Sequence, residues 1–266
     1  MAKLKGSVLF TGTLGDLTAY KRNDSDVVYI RRKGGPTKKQ IKTKDSFANT
    51  RRNNVEFGGR AKASWWMRRM LGPLTVLQDY NFTPALNQLA RIVQVRDTVS
   101  GWGKRGILFS KYPKLFEGFN LNKRSPLDSI LRSPIGFTVS KQTLAATVKI
   151  PELMPGINFF VYGNYPLFSI TTVLGILPDL AYSSRGYKPV YNSDQYPVIA
   201  EKDTGWQPVL KGMKSEEISL QLPAEMPAGS FSLVLSAGIR FGTVTDLSNG
   251  VEQVKRTGAA KIICVE

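Results

Sequence analysis

The sequence contains no histidine and a single cysteine, Cys264, among its 266 residues. Without histidine the chain can form no Ser-His-Asp or Cys-His catalytic arrangement, no imidazole acid or base, and no histidine-ligated zinc. One cysteine can form neither an internal disulfide nor a cysteine-ligated metal cluster. We therefore expect no metal and no cofactor.

Motifs with a catalytic mechanism are also missing. The sequence has no phosphate-binding Gly-x4-Gly-Lys-Ser/Thr loop, no Gly-x-Gly-x-x-Gly, no Gly-x-Ser-x-Gly and no Ser-x-x-Lys. Cys264 lies in an apolar run and is predicted to be a buried strand thiol. Carboxylate pairs remain, for instance Glu201 with Asp203, a spacing common among solvated residues of a polar loop. In another, Glu216 with Glu217, adjacent acids on a strand point to opposite faces. We predict no catalytic residues and no enzyme activity.

Long hydrophobic runs are scarce as well. The longest, residues 170–182, includes Thr171, Pro178 and Asp179 and falls short of the roughly 18 to 20 residues that a membrane helix needs. The apolar run at residues 8–10 is too short for the core of a signal peptide. These features predict a soluble cytoplasmic protein with no membrane partner.

Positive charge is what the sequence has in excess, and it is unevenly placed. Residues 1–135 hold 26 Lys and Arg against 9 Asp and Glu, a net charge of +17, whereas residues 136–266 hold 11 of each. Such an asymmetry is typical of a basic arm or domain joined to a neutral one. It indicates a polyanionic partner, either nucleic acid or an acidic protein surface.

The first half combines strand and helix patterns. Residues 7–33 have strand composition with a turn near residues 23–26, which predicts a hairpin, and Gly12 and Gly15 mark a bend or bulge. The segment 37–71 is basic, and from near Ser46 it has the spacing of an amphipathic helix. Within it Gly58-Gly59 indicates a close crossing or a break. Of Trp65 and Trp66, at least one is expected in the core, although an aromatic among cations could also stack on bases.

Two further segments complete this half. A second helix is predicted from Thr83, with Pro84 in its first turn, to about Val99. Residues 101–134 are predicted to be irregular, with aromatics among basic residues. This mixture suits single-stranded nucleic acid, but it is more typical of aromatics that tie an irregular segment to the core.

After residue 134 the pattern changes to short strands separated by Pro and Gly turns. Alternation of apolar residues in 218–222 and 233–237 predicts one buried face for each strand. The predicted strands cover residues 135–140, 143–150, 158–162, 168–177, 217–222, 231–241, 251–255 and 260–265. Residues 183–206 are predicted to form a long ordered loop. The pattern predicts an antiparallel β-sandwich.

The first 70 residues resemble the opening of a family of small, basic, uncharacterised proteins of Bacteroidota. The resemblance rests on Gly12, Gly15, the basic strand 27–33, Pro36, and a Lys/Arg-rich helix with Phe47 and Arg51. Members of that family end in an all-β region, so the resemblance implies the same here. It implies no activity and no site residues. The Trp65-Trp66 helix and residues 101–134 have no counterpart in it.

These observations predict an α+β protein: a basic N-terminal hairpin with helices in residues 1–134, followed by a neutral antiparallel β-sandwich, immunoglobulin-like or jelly-roll-like, in residues 135–266. The predicted function is that of a non-enzymatic structural or scaffold protein that binds nucleic acid or another polyanion. The alternative is a subunit of a virion, tail or other particle whose basic arm contacts neighbouring subunits. A homo-oligomer is compatible with either. The predicted polyanion-binding residues are Arg31, Arg32, Lys33, Lys38, Lys39, Lys42, Lys44, Arg51, Arg52, Arg60, Lys62, Arg68 and Arg69.

Overall fold

The computed structural model describes residues 2, 3, 6, 10–22, 25–191, 197–244 and 250–266. The chain divides into two compact units, Met1–Arg51 and Arg52–Glu266. The fold mixes helices with antiparallel sheets, which confirms the α+β class. The predicted boundary between residues 134 and 135 lies inside the second unit, because the helical segments before it share a core with the strands after it.

The first unit is built on a four-stranded antiparallel sheet of order β1-β4-β3-β2. Its strands are β1 (Ala2–Lys3), β2 (Gly12–Leu14), β3 (Leu17–Arg22) and β4 (Ser25–Arg32). Gly15 has a φ of 54° in the tight turn between β2 and β3, a conformation that favours glycine. The beginning of the predicted hairpin, residues 7–9, and part of its turn at residues 23–26 lie outside the described residues.

A short helix, α1 (Lys38–Thr43), and a 3-10 turn (Asp45–Phe47) follow that sheet. Thr37 caps α1 in a capping box with Gln40, since each side chain accepts from the other's backbone N–H. No side chain of α1 is buried. Among the described residues of this unit, only Ala19 and Val28 are buried hydrophobic residues. The unit therefore has a very small apolar core.

The second unit contains helices on more than one side of its sheets. They are α2 (Ala48–Leu71), which begins in the first unit, α3 (Thr83–Val95) and α4 (Leu127–Ile130). A 3-10 segment (Gly72–Leu77) follows α2 directly. No helix of the described residues is both long and apolar enough to cross a membrane.

Three antiparallel sheets complete the second unit. The five-stranded sheet has the order β10-β7-β13-β14 with β11 also paired to β7, the three-stranded sheet has the order β12-β6-β5, and β8 pairs with β9. The strands are β5 (Gly136–Ser140), β6 (Ala145–Ile150), β7 (Leu167–Pro178), β8 (Leu180–Ser183), β9 (Gly186–Pro189), β10 (Ile199–Asp203), β11 (Gln207–Pro208), β12 (Glu216–Gln221), β13 (Phe231–Val244) and β14 (Val251–Val265).

The five-stranded sheet is buried on both faces. Large side chains such as Leu174 and Leu235 share one core with the three-stranded sheet. The opposite face shares a second core with α2, α3 and the segment 107–121. Small residues on that face allow close approach: a Cβ added to Gly175 would lie 2.8 Å from Met70 Sδ, and one on Gly238 would lie 2.7 Å from Leu74 Cδ2. Glycine inside a strand is typical where another element approaches closely.

Three sequence predictions about strands need correction. Residues 158–162 form a loop held by isolated bridges of Phe159 rather than a strand. The predicted loop 183–206 contains β9 and β10, because β10 pairs with the buried strand β7. The predicted strands 251–255 and 260–265 belong to one strand, β14, whose pairing with β13 has register shifts.

Candidate nucleic-acid interface

The cations of the first unit lie on its surface. The side chains of β4, the following loop and α1 that the sequence analysis singled out are all exposed: Arg31, Arg32, Lys33, Lys38, Lys39, Lys42 and Lys44. The whole unit holds 12 Lys and Arg against 4 Asp and Glu, a net charge of +8 in 51 residues. Such a density of positive charge is the electrostatic feature that sequence-independent binding of a polyanion requires.

One face of the β3-β4 pair carries aromatic rings beside arginines. Tyr20 and Tyr29 are directly opposite each other across the strands, and their ring centroids are 6.1 Å apart. The guanidinium of Arg22 lies 4.8 Å from the Tyr29 ring and that of Arg31 lies 5.6 Å from the Tyr20 ring. Proteins that bind single-stranded nucleic acids commonly place aromatic rings and cations together on one face of a sheet.

A second cationic surface lies on α2 in the second unit. Trp66, Met67 and Met70 point into the core, so the helical repeat places Lys62, Trp65 and Arg69 toward solvent. Trp65 is 39% exposed and Trp66 only 5%. The expectation that at least one of the two tryptophans is core is confirmed. The other is left on the basic face.

The Trp65 ring is held between charged and aromatic neighbours. Its centroid is 5.3 Å from that of Trp66 in an edge-to-face arrangement with an interplanar angle of 89°. Lys62 Nζ lies 4.8 Å from the Trp65 ring and the Arg69 guanidinium lies 5.3 Å from it. These are cation-π distances. The indole is therefore exposed but oriented.

Beside this ring is a cleft of about 500 Å³, which we call the α2 cleft. Its described lining residues are Trp65, Arg68, Arg69, Gly72, Thr75, Pro197 and Ile199. Arg68 is fixed by a 2.7 Å hydrogen bond that it donates to Thr83 Oγ1. Two guanidinium groups and no carboxylate line the described part of the cleft, so it is suited to an anion.

Other predicted cations have internal partners. Arg51 is half-buried and donates to the carbonyl oxygens of Ile41 and Lys44, both at 2.8 Å. Arg60 is also half-buried and donates to Gln94 Oε1 at 2.7 Å. The guanidinium of Arg52 lies 5.5 Å from the ring of Trp102. Arg51 and Arg60 thus stabilise the fold, and the structure does not bring them to the α2 cleft.

Arg60 belongs to a buried polar network centred on Glu56, which has no exposed surface. Glu56 accepts two hydrogen bonds from Arg105, at 2.7 and 2.6 Å, and one from the Gly103 backbone N–H at 2.9 Å. Burial raises the pKa of Glu56, but the hydrogen bonds from Arg105 and Gly103 outweigh this, so its pKa lies below the usual value. The sequence does not reveal the ion pair of Glu56 with Arg105, because the two residues lie 49 positions apart.

Asp179 and Cys264 are two further titratable groups outside the α2 cleft. Asp179 is buried and accepts from the backbone N–H and the hydroxyl of Ser110. Cys264 is half-buried on β14, and burial raises the pKa of its thiol to about 11, which suppresses the thiolate. Among the described residues no group of three or more acidic or cysteine side chains could hold a metal ion.

Some aromatic side chains of residues 101–134 are buried in the core, and others lie at the surface. Phe109 and Phe116 are fully buried and their rings meet edge to face. Trp102 is 44% exposed. Most of these aromatics therefore attach an irregular segment to the sheet, which is one of the two alternatives left open by the sequence.

Part of the α2 cleft could not be found from the sequence. Pro197 and Ile199 reach it from β10 and the residues before it, more than 120 positions along the chain. The signal available in the sequence was the Trp65-Trp66 pair among basic residues. Comparison with protein-family models, with curated proteins and with solved structures finds no match to this chain.

Proposed function

We propose that this chain is a non-enzymatic structural or scaffold protein that binds nucleic acid, or another polyanion, through its basic N-terminal half. The observation that supports the proposal most strongly is the surface position of the cations: ten of the thirteen predicted binding residues are exposed. Three (Arg51, Arg60 and Arg68) are half-buried with hydrogen-bond partners. We further propose a cytoplasmic location, where nucleic acid is accessible to such a surface.

The salt dependence of binding tests this proposal. If six to ten cations contact phosphates, affinity for DNA or RNA should fall by about 10³ to 10⁵ between 50 and 200 mM salt, because counterions are released on binding. Replacing Arg31, Arg32, Lys38 and Lys39 together by Ala should lower affinity by a similar factor for all base sequences, since phosphate contacts carry no base information. A flat salt response, or no binding at about 50 mM salt, contradicts the proposal.

A second candidate function is that of an assembly subunit whose basic arm contacts its neighbours. It is favoured by the small core of the first unit, in which Ala19 and Val28 are buried while Leu14 and Leu17 are exposed. A unit with so little buried apolar area gains stability when a partner covers it. Light scattering after size exclusion, with and without nuclease, separates the two functions: nuclease-sensitive mass indicates bound nucleic acid, and a fixed oligomer without it indicates an assembly subunit.

The finer class of the β-region belongs to this proposal too. We propose an immunoglobulin-like or jelly-roll-like sandwich formed by the five-stranded and three-stranded sheets. Its support is the core that those sheets share, in which Phe168 and Leu233 meet Val148 and Ile218. Loops at the ends of such a sandwich commonly carry contacts.

A further inference from the structure

We propose that the α2 cleft is a single-stranded nucleic-acid site in which one base stacks on Trp65 and the adjacent phosphates contact Arg68 and Arg69. This inference rests on the proposed function and deepens it, because it selects one class of polyanion and one place of contact. The cleft is formed within the second unit.

Trp65 provides the stacking surface. The indole is 39% exposed, so part of its ring is accessible to a base from solvent. The edge-to-face contact with the buried Trp66 fixes the ring and lowers the conformational entropy that binding would cost. Base stacking on a ring of this kind strengthens binding by about 5- to 100-fold.

Lys62 and Arg69 supply the charge on the same ring. In the free protein they lie 4.8 and 5.3 Å from the Trp65 ring. A base that stacks on the indole replaces one of these cations, which then pairs with the phosphate of that nucleotide. The exchange loses a cation-π contact and gains a stack together with a charge-assisted hydrogen bond.

The shape and charge of the cleft distinguish between ligands. Its volume of about 500 Å³ is in the range of small-ligand sites and gives room for a single unstacked nucleotide. Bases in a duplex are stacked on each other and do not offer a free face to Trp65, whereas single strands do. An acidic peptide offers carboxylates to the arginines but no flat ring for the indole. The tryptophan therefore favours single-stranded nucleic acid.

Fluorescence anisotropy with the full chain tests this at about 50 mM salt, using a labelled oligothymidylate and a duplex of the same length. We expect Trp65→Ala to weaken binding of the single strand by about 5- to 100-fold, and Trp65→Phe, which keeps a ring, to retain most of the affinity. Duplex binding should be unchanged by either substitution. Arg69→Ala should lower the slope of log affinity against log salt by about 0.7 for the single strand.

Trp102→Ala is the matched control, because Trp102 is also an exposed tryptophan with an arginine 5.5 Å away but does not line the cleft. It should change single-strand affinity by less than twofold, and all variants should melt within a few degrees of the parent. Equal affinity of Trp65→Ala and the parent for the single strand overturns the inference. If the parent binds duplex but no single strand, the inference fails while the proposed function stands. If it binds neither, both fail.

Discussion

At the residue scale, the buried carboxylate of Glu56 is held by specific partners. Glu56 is matched in geometry by the two-pronged Arg105 guanidinium and a backbone N–H. Removing one member of such a pair leaves the other charge buried without compensation, at a cost of about 3 to 5 kcal/mol. Its lowered pKa keeps it ionised at neutral pH. Glu56 therefore joins α2 to the loop at residues 103–105.

Asp97, in the same region, is expected to make the stability of the fold depend on pH. Burial raises its pKa, but hydrogen bonds from Ser100, Gly106 and Val99 lower it from the usual 3.8 to about 2. Because the folded-state pKa is below the unfolded one, the ionised carboxylate stabilises the fold above about pH 4, and this contribution disappears as the pH falls toward 2. Asp97→Asn should thus cost roughly 2 kcal/mol near neutral pH and almost nothing near pH 2.

Urea denaturation of parent and variant between pH 7 and pH 2 measures this difference. Asp128→Asn is the control, because the Asp128 side chain is 62% exposed and its ion pair with Lys261 lies at the surface. It should change the free energy of unfolding by less than about 1 kcal/mol. A difference between Asp97→Asn and the parent that stays constant over this pH range would show that the carboxylate is not the cause.

At the scale of single elements, the two adjacent glycines of α2 have opposite roles. A Cβ on Gly59 would lie 2.7 Å from the Tyr187 ring, whereas one on Gly58 meets nothing within 4 Å. The ring cannot move easily, since the Tyr187 hydroxyl donates to the Arg105 carbonyl oxygen at 2.8 Å and accepts from Gln94 at 3.0 Å. Gly59 thus marks a close crossing of α2 and β9 rather than a break in the helix.

Alanine at these two positions should shift stability in opposite directions. Gly58→Ala should raise the free energy of unfolding by about 0.5 to 1 kcal/mol through helix propensity alone. Gly59→Ala gains the same propensity but overpacks the Tyr187 contact, and a net loss of about 1 to 3 kcal/mol is expected. Chemical denaturation of both variants tests this, each serving as the control for the other. A stabilising Gly59→Ala would contradict the close crossing.

The two faces of strand β13 differ in how well the sequence predicts their burial. The pattern of Leu233, Leu235 and Ala237 predicted one buried face of β13 correctly. The neighbouring Ser232, Ser236 and Gly238 have the small polar character of a solvent face, yet they are buried, and a Cβ on Gly238 would lie 2.7 Å from Leu74 Cδ2. No local pattern distinguishes a small residue facing water from one that admits a helix, so the second core could not be predicted.

For the candidate site, composition predicted which cations to consider but not their partners. Arg60 and Lys62 are two positions apart in one basic helix and look equivalent in the sequence. In the structure Arg60 donates a hydrogen bond to Gln94, whereas Lys62 lies beside the ring of Trp65. Helical geometry separates them by about 200° around the axis, but which side faces the core depends on contacts far along the chain.

The whole molecule raises the question of which part folds without the rest. Among the described residues, every buried hydrophobic side chain other than Ala19 and Val28 lies at Ala63 or later. Of the 22 buried residues in the core between helices and sheet, 15 precede residue 135. Fragment 48–266 keeps both cores of the second unit complete, whereas fragment 135–266 uncovers one face of the five-stranded sheet.

We therefore expect fragment 48–266 to give a mixed α/β circular dichroism spectrum and a cooperative thermal transition close to that of the full chain. Fragment 135–266 should aggregate or lack a sharp transition, because side chains such as Val173, Val234 and Ile262 lose the helices that cover them. A sharp melt of fragment 135–266 would show instead that the strands fold as a separate domain with a boundary near residue 134. Fragment 48–266 also removes most of the charge of the first unit: it retains the α2 cleft, so its affinity for a single strand measures that site without the +7 of residues 1–47.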